Sequence, residues 1–195
     1  AKPLPQPNGV RFLFGCETEL DKNLTLGISR ERMDLMDFIN IPITHFHMKF
    51  VMDPEDRASL EARVRLWLSR LDGVLSMDLP FHKVGLAHLT CPQIAVERED
   101  YLRTLEALPE DRLKVLFGKA AQLGVGIELN VYDIKAADGA EDIALRPYQI
   151  AKQQGCKFYC GSDSHSPSGF ARAKQRFEKA VTLLDLSEED KLVLP

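Results

Sequence analysis

Short apolar runs alternate with longer stretches in which apolar residues recur every three or four positions, and the alternation continues along most of the chain. The short runs are Val10 to Cys16, Phe38 to Thr44, Val84 to His88, Val125 to Val131 and Lys157 to Gly161. They predict strands. Several are almost continuously apolar, the pattern of strands covered on both faces. Between them the period lengthens. Asp53-Pro54-Glu55-Asp56 combines a capping residue, a proline at the first helical position and acids in the first turn. Leu60, Val64, Trp67, Leu68 and Leu71 then repeat at helical spacing as far as Gly73. Pro109-Glu110-Asp111 opens another helix, with Leu113, Leu116, Phe117, Ala120 and Leu123 as its buried stripe and Gly124 as its stop. A shorter helix is predicted over Pro147 to Gly155 and a last long one over Ser168 to Leu184. Repeated strand–helix units imply an α/β fold, a parallel sheet with right-handed crossovers that is either open or closed into a barrel.

Composition narrows the classes of partner. The 195 residues, 45% of them hydrophobic, make one domain with material for a sizeable core. The 25 basic and 29 acidic residues leave a net charge of −4, which argues against long nucleic acid or an anionic membrane as the partner. No apolar run approaches the roughly 20 residues that span a bilayer. Residues 1–7 lack the apolar stretch of a signal peptide, so a cytoplasmic protein is expected. The proline-rich residues 1–8 read as a leader or linker and 9–195 as the domain. Cys16, Cys91, Cys156 and Cys160 form neither a CxxC pair nor a disulfide framework, and are expected to be reduced, buried and inert. His82 lies outside every pattern described below and is read as structural.

In parallel α/β folds the carboxyl ends of the strands carry the chemistry. Here those ends read Gly15-Cys16-Glu17, Thr44-His45-Phe46-His47, Ala87-His88, Glu128-Leu129-Asn130 and Gly161-Ser162-Asp163-Ser164-His165. Four of the five histidines in the chain lie there. On a regular strand, residues two apart point the same way, so His45/His47, Glu128/Asn130 and Asp163/His165 are each expected to aim at one point. Imidazoles and carboxylates converging in this way are the ligand set of zinc, manganese or iron. Singly, each residue has a structural reading: a hydrogen-bonded loop histidine, a solvated Glu17 alternating with Glu19 in a hairpin, a Glu128 paired with an arginine, an Asp163 capping a turn. Their coincidence at every strand end favours a metal-centred site.

At these residues the sequence resembles the PHP family, the polymerase and histidinol phosphatase domains. Gly161-Ser162-Asp163-Ser164-His165 resembles the family's closing GSDxH motif, and Gly15-Cys16-Glu17 its GxE motif, whose glutamate bridges two metals. Asp37-Phe38-Ile39 with Thr44-His45-Phe46-His47, then Val84 to His88, resemble its histidine-bearing strands, and Gly126 to Asn130 its G-x-x-x-E-x-N strand. The matches run in family order over residues 9–175. The resemblance implies a distorted (β/α)7 TIM-like barrel, of which this chain carries about five of the seven βα units. The family's opening His-x-His strand and a second histidine strand are absent. They are expected on the N-terminal remainder of the same protein or on another copy, this chain being the C-terminal portion.

The resemblance also implies the chemistry. It is a metal-dependent phosphoesterase that hydrolyses a small-molecule phosphate ester through a metal-bound hydroxide at a di- or trinuclear site of Zn, Mn or Fe. Glu17, His47 and His88 would complete one metal site, Asp163 and Glu17 would supply only half of a second, and His165 would be the only remaining ligand of a third. The spacing from Asp37 leaves His45 and His47 as alternatives, with the family's aromatic-His ending favouring His47. Glu17 and Asp163 are the catalytic carboxylates. Arg172 and Lys174 are candidate phosphate contacts, set against the plainer reading of solvated helix charges. Two alternatives stand beside this reading: an amidohydrolase-type enzyme, since similar barrels and ligand sets serve both chemistries, and a degenerate, non-catalytic PHP scaffold.

Overall fold

Each short apolar run delivers one strand: β1 Gly15–Glu17, β2 Phe38–Pro42, β3 Val84–Ala87, β4 Gly126–Asn130 and β5 Lys157–Gly161. The five form a single parallel sheet in the order β1-β2-β3-β4-β5. A computed structural model describes residues 7–194, so the leader expected over 1–8 lies outside the described residues apart from a 3-10 turn at Pro7–Gly9.

Four of the five strands depart from the bounds read in the sequence, each for a local reason. The first run does not form a strand over its length. Val10, Phe12, Leu13 and Phe14 are exposed, and the ladder begins only at Gly15 opposite Phe38, where the Phe14 N–H has just been taken by the Asp37 carboxylate at 2.7 Å. β2 stops at Pro42, a residue with no N–H to extend a ladder. β3 stops before His88, whose φ of 55° turns the backbone into the left-handed region. β4 stops at Asn130 because its side chain accepts the Tyr132 N–H and caps a helix that starts at Val131.

The helices are α1 Arg30–Asp34, α2 Leu60–Leu75, α3 Arg98–Glu106, α4 Glu110–Leu123, α5 Val131–Ala136, α6 Glu141–Ala144, α7 Arg146–Gln153 and α8 Ala173–Leu183. α4 ends at a left-handed Gly124, as its sequence predicts. The Asp53-Pro54 signal instead opens a 3-10 turn, Pro54–Arg57. α2 starts on a second cap, Ser59, and runs through Gly73 to Leu75, a mid-helix glycine costing only about 1 kcal/mol against alanine. The last predicted helix is divided into a 3-10 segment, Pro167–Arg172, and α8. Among the described residues no helix is long and apolar enough to cross a membrane.

A strand order without reversal has no switch point, so right-handed crossovers place the connecting helices on one side of the sheet. There α2, α4 and α7 pack in succession, with Trp67 and Phe117 edge to face at 6.4 Å. Ile39, Ile41, Leu86, Ile127 and Leu129 face the same layer and join one buried cluster with Leu71, Leu113 and Ile150.

The other face is different. By alternation it carries Phe38, Asn40, Gly85, Gly126, Glu128, Asn130, Tyr159 and Gly161, and it is sharply concave. The rings of Phe38 on β2 and Tyr159 on β5 meet at 5.0 Å, although three strand spacings, about 14 Å in a flat sheet, separate the two strands. The Tyr159 hydroxyl also donates to Asn40 Oδ1. At the open side the two ends of the described chain meet: residue 191 bridges β5 in parallel at Phe158, and Arg11 donates to the Leu194 carbonyl at 3.3 Å.

Candidate metal centre

The concave sheet brings three strand ends to one mouth. Ligand-type atoms of Glu17 at the end of β1, His45 after β2 and His88 after β3 all lie within 4.8 Å of one another. Glu17 Oε2 and His88 Nε2 are 3.7 Å apart, and the His45 and His88 rings lie at 4.9 Å. Donors each about 2.0–2.2 Å from a tetrahedral cation stand about 3.3–3.6 Å apart. The cluster can therefore hold a metal ion after small side-chain adjustments, with positions left over for solvent or substrate.

Glu19 sharpens this. Both of its carboxylate oxygens face Nδ1 of His45, at 2.9 and 3.1 Å. A carboxylate at Nδ1 holds the proton there and leaves Nε2 with its lone pair free to bind a metal, the usual arrangement behind a metal-bound imidazole. The hairpin reading of Glu19 noted the alternation with Glu17 and missed its partner 26 residues on.

Three polar anchors, two on α2 and one just after β2, hold these segments. The Arg70 guanidinium, buried in α2, donates to the carbonyls of Ile43 at 2.8 Å, Leu20 at 2.8 Å and Asp21 at 3.2 Å. It thus ties the stretch bearing Glu17 and Glu19 to the stretch bearing His45. Trp67 Nε1 donates to the Leu89 carbonyl at 2.9 Å, and the Thr44 hydroxyl donates to the carbonyl of His88. These hold His88 in its left-handed backbone.

The mouth carries an excess of negative charge. Burial alone pulls the His88 imidazole down, but its hydrogen bond to Glu17 and the carboxylates of Asp133 and Glu128 outweigh that and raise it to about 9. Glu17 shifts down, chiefly through the same bond, with burial opposing it. A site that draws a proton onto an imidazole in this way is one that a divalent cation can neutralise.

Glu128 sits beneath the mouth, buried, and accepts from the His88 backbone N–H at 3.2 Å, Asn130 Nδ2 at 3.2 Å and Asn40 Nδ2 at 3.4 Å. Its partners are amides, so the arginine pairing weighed in the sequence is absent among the described residues. Burial pushes its carboxyl up to about 7. Gly161 makes room for it: a Cβ there would fall 2.5 Å from Glu128 Cδ. Gly161→Ala should lower stability by about 2–3 kcal/mol, through overpacking and disturbed hydrogen bonds. Gly118→Ala, in α4 with its nearest neighbour 3.6 Å away, should raise it by up to about 1 kcal/mol. Urea unfolding of both variants checks the contrast, and equal effects would mean that Gly161 is not needed for its space.

The remaining candidates divide. His47 is exposed and stands outside the cluster, its ring 5.5 Å from that of His45. The pair lies beyond the strand: Phe46 N–H bonds the Thr44 carbonyl at 2.7 Å, a tight turn around His45, and the two imidazoles meet edge to face. The three-residue cluster contains His45 and not His47, the residue favoured from the sequence. Asp163, at a φ of 47°, and the largely exposed His165 pair with each other at 3.2 Å. They lie outside the three-residue cluster, although His165 is near enough to help lower Glu17. Arg172 and Lys174 are exposed, and Lys174 pairs with Glu178 along the outside of α8. His82 is exposed on a 3-10 turn. All four cysteines are free; Cys91 and Cys156 are buried as expected, Cys16 is half-buried, and Cys160, on the edge strand β5, is exposed. No protein-family model matches the chain, and no curated protein does.

Proposed function

We propose that the chain forms the metal-binding part of a PHP-type hydrolase acting on phosphate esters, with Glu17, His45 and His88 holding a divalent zinc, manganese or iron ion. The observation that carries the reading is the convergence of these three side chains at one mouth of a singly wound parallel sheet, with the Glu19 carboxylate seated behind His45. A cation bound there supplies Lewis acidity toward a phosphoryl oxygen and toward water. The protein's share is positional. Glu17 brings the charge, His45 and His88 bring neutral nitrogen donors, and Glu19 keeps the His45 proton on Nδ1. Asp163, paired with His165 on the same side of the sheet, is assigned to a second cation and to proton movement.

The curled, singly wound sheet supports a distorted seven-stranded barrel in which these strands form one wall. Such a barrel takes two further βα units between β1 and β5.

The test is metal content of the purified, assembled protein by elemental analysis, together with hydrolysis of a panel of phosphomonoesters and N-acyl compounds. Bound metal with phosphomonoester turnover is expected. Turnover of the N-acyl compounds alone would make the protein an amidohydrolase, and absence of metal would make it a scaffold.

Glu19 has its own signature. Glu19→Gln keeps an acceptor near Nδ1 but removes the charge, and should weaken metal binding about 10–100-fold with little change in the stability of the metal-free protein. A titration monitored by a chelating dye measures this. Unchanged affinity would remove Glu19 from the centre.

A further inference from the structure

Four buried side-chain oxygens among the described residues have no hydrogen-bond partner: Thr18 Oγ1, Thr90 Oγ1, the Tyr101 hydroxyl and Asp133 Oδ1. The last three belong together. Asp133 Oδ2 accepts the Thr90 N–H at 3.0 Å and the Tyr148 hydroxyl at 2.9 Å. Thr90 in turn stands beside the hydroxyls of Tyr101 and Tyr148, and Tyr101 faces Asp133. Thr90 follows β3, Tyr101 lies on α3, Asp133 on α5 and Tyr148 on α7. None of the four is more than 1% exposed.

A buried polar atom without a partner is costly, and three in one place are not an accident of one rotamer. The two bonds to Oδ2 pin the Asp133 carboxyl and fix where Oδ1 points. The Thr90 backbone bond likewise fixes the residue that carries Oγ1. Three oxygens from three separate elements are thus held close together, Thr90 nearest the tyrosine hydroxyls, with none of the three in a formed hydrogen bond.

We infer that these oxygens enclose one water molecule as a permanent part of the fold, bridging Asp133 Oδ1, Thr90 Oγ1 and the Tyr101 hydroxyl. Three partners is the usual number for an internal water, and polar chambers hold water where apolar ones stay dry. A water can donate to Asp133 Oδ1 and to one hydroxyl while accepting from the other, so every group is met. One carboxylate oxygen and two hydroxyls fall short of the six to eight oxygens that a calcium-sized cation takes. The water joins α3 and α5 to the stretch leaving β3, two residues beyond His88, and so braces that stretch. The inference is independent of the metal and of the reaction proposed.

A crystal structure of the protein that resolves ordered solvent tests it directly. Density about 2.7–3.2 Å from all three oxygens is expected. Tyr101→Phe and Thr90→Val give a second test by sign, since both keep the shape and delete one oxygen. With a bridging water each variant breaks a satisfied network, and the melting temperature should fall by about 2–4 °C. The double variant should fall by less than the sum, because both act through one molecule. Without the water the same changes remove an unpaired oxygen and the melting temperature rises. Absence of that density, a rise in both variants, or stability that tracks sodium, potassium or calcium concentration would each overturn the inference.

Discussion

Replacing His45 or His88 with alanine should empty the metal centre, while replacing His47 should leave it filled. His45 and His88 face Glu17 within bonding reach of a common ion, whereas His47 is exposed and outside that cluster. Loss of a direct donor should cost more than the about 10–100-fold that loss of an outer partner costs. At metal concentrations 100 times Kd, the bound ion adds about 2.7 kcal/mol to the stability of the native protein. That increment should vanish in His45→Ala and His88→Ala and survive in His47→Ala. Glu17→Gln should remove all bound metal, because Glu17 is the carboxylate of the cluster. Asp163→Asn should lower the metal count and abolish phosphoester turnover while the first ion stays, since Asp163 pairs with His165 outside the cluster. Elemental analysis, metal-dependent melting and a phosphomonoester assay on each variant check the set. Greater metal loss from His47→Ala than from His45→Ala would reverse the ligand assignment and with it the reading of the turn.

The histidine choice shows where the sequence stopped being informative. Periodicity located every strand and most long helices, because burial of one face is written in residue spacing. It placed Glu17, His45, His88, Asp163 and His165 at strand ends for the same reason. It did not place the end of β2, and a ligand three residues past that end depends on the turn and not on alternation. Pro42 was the available signal, since a proline seldom lies within a paired strand. The Glu19–His45 contact joins residues 26 apart in sequence, and no spacing rule connects a loop after one strand to a loop after the next. The runs at β3 and β4 are buried on both faces, as continuous apolar character implies, yet the inner face of β4 is glycine, glutamate and asparagine. Glycine beside large side chains lets Phe38 and Tyr159 cross the concave face. That small–large complementarity is a property of the curled sheet and is invisible along any one strand.

Arg70→Met should be the most destabilising of the substitutions considered, and should weaken metal binding as well. Arg70 is 1% exposed. Burial brings its guanidinium down to about 10, which still leaves it charged at neutral pH. Its three carbonyl partners belong to two different loops, and those of Leu20 and Ile43 are bonded within the interior. Methionine fills much of the same space with no donor, so two buried acceptors lose their partners at about 1–3 kcal/mol each. Relief of the buried charge offsets part of this, and a net loss of about 3–4 kcal/mol is expected. Arg70→Lys should lie between, because one ammonium cannot copy a fork that reaches three carbonyls. The same guanidinium sets the distance between the Glu17–Glu19 stretch and the His45 turn, so affinity for metal should fall in the fraction that remains folded. Urea unfolding of the metal-free protein measures the first effect, and metal titration under conditions where each variant is fully folded measures the second. Lower stability with unchanged affinity would make Arg70 a packing residue only and leave the spacing of the centre to the sheet.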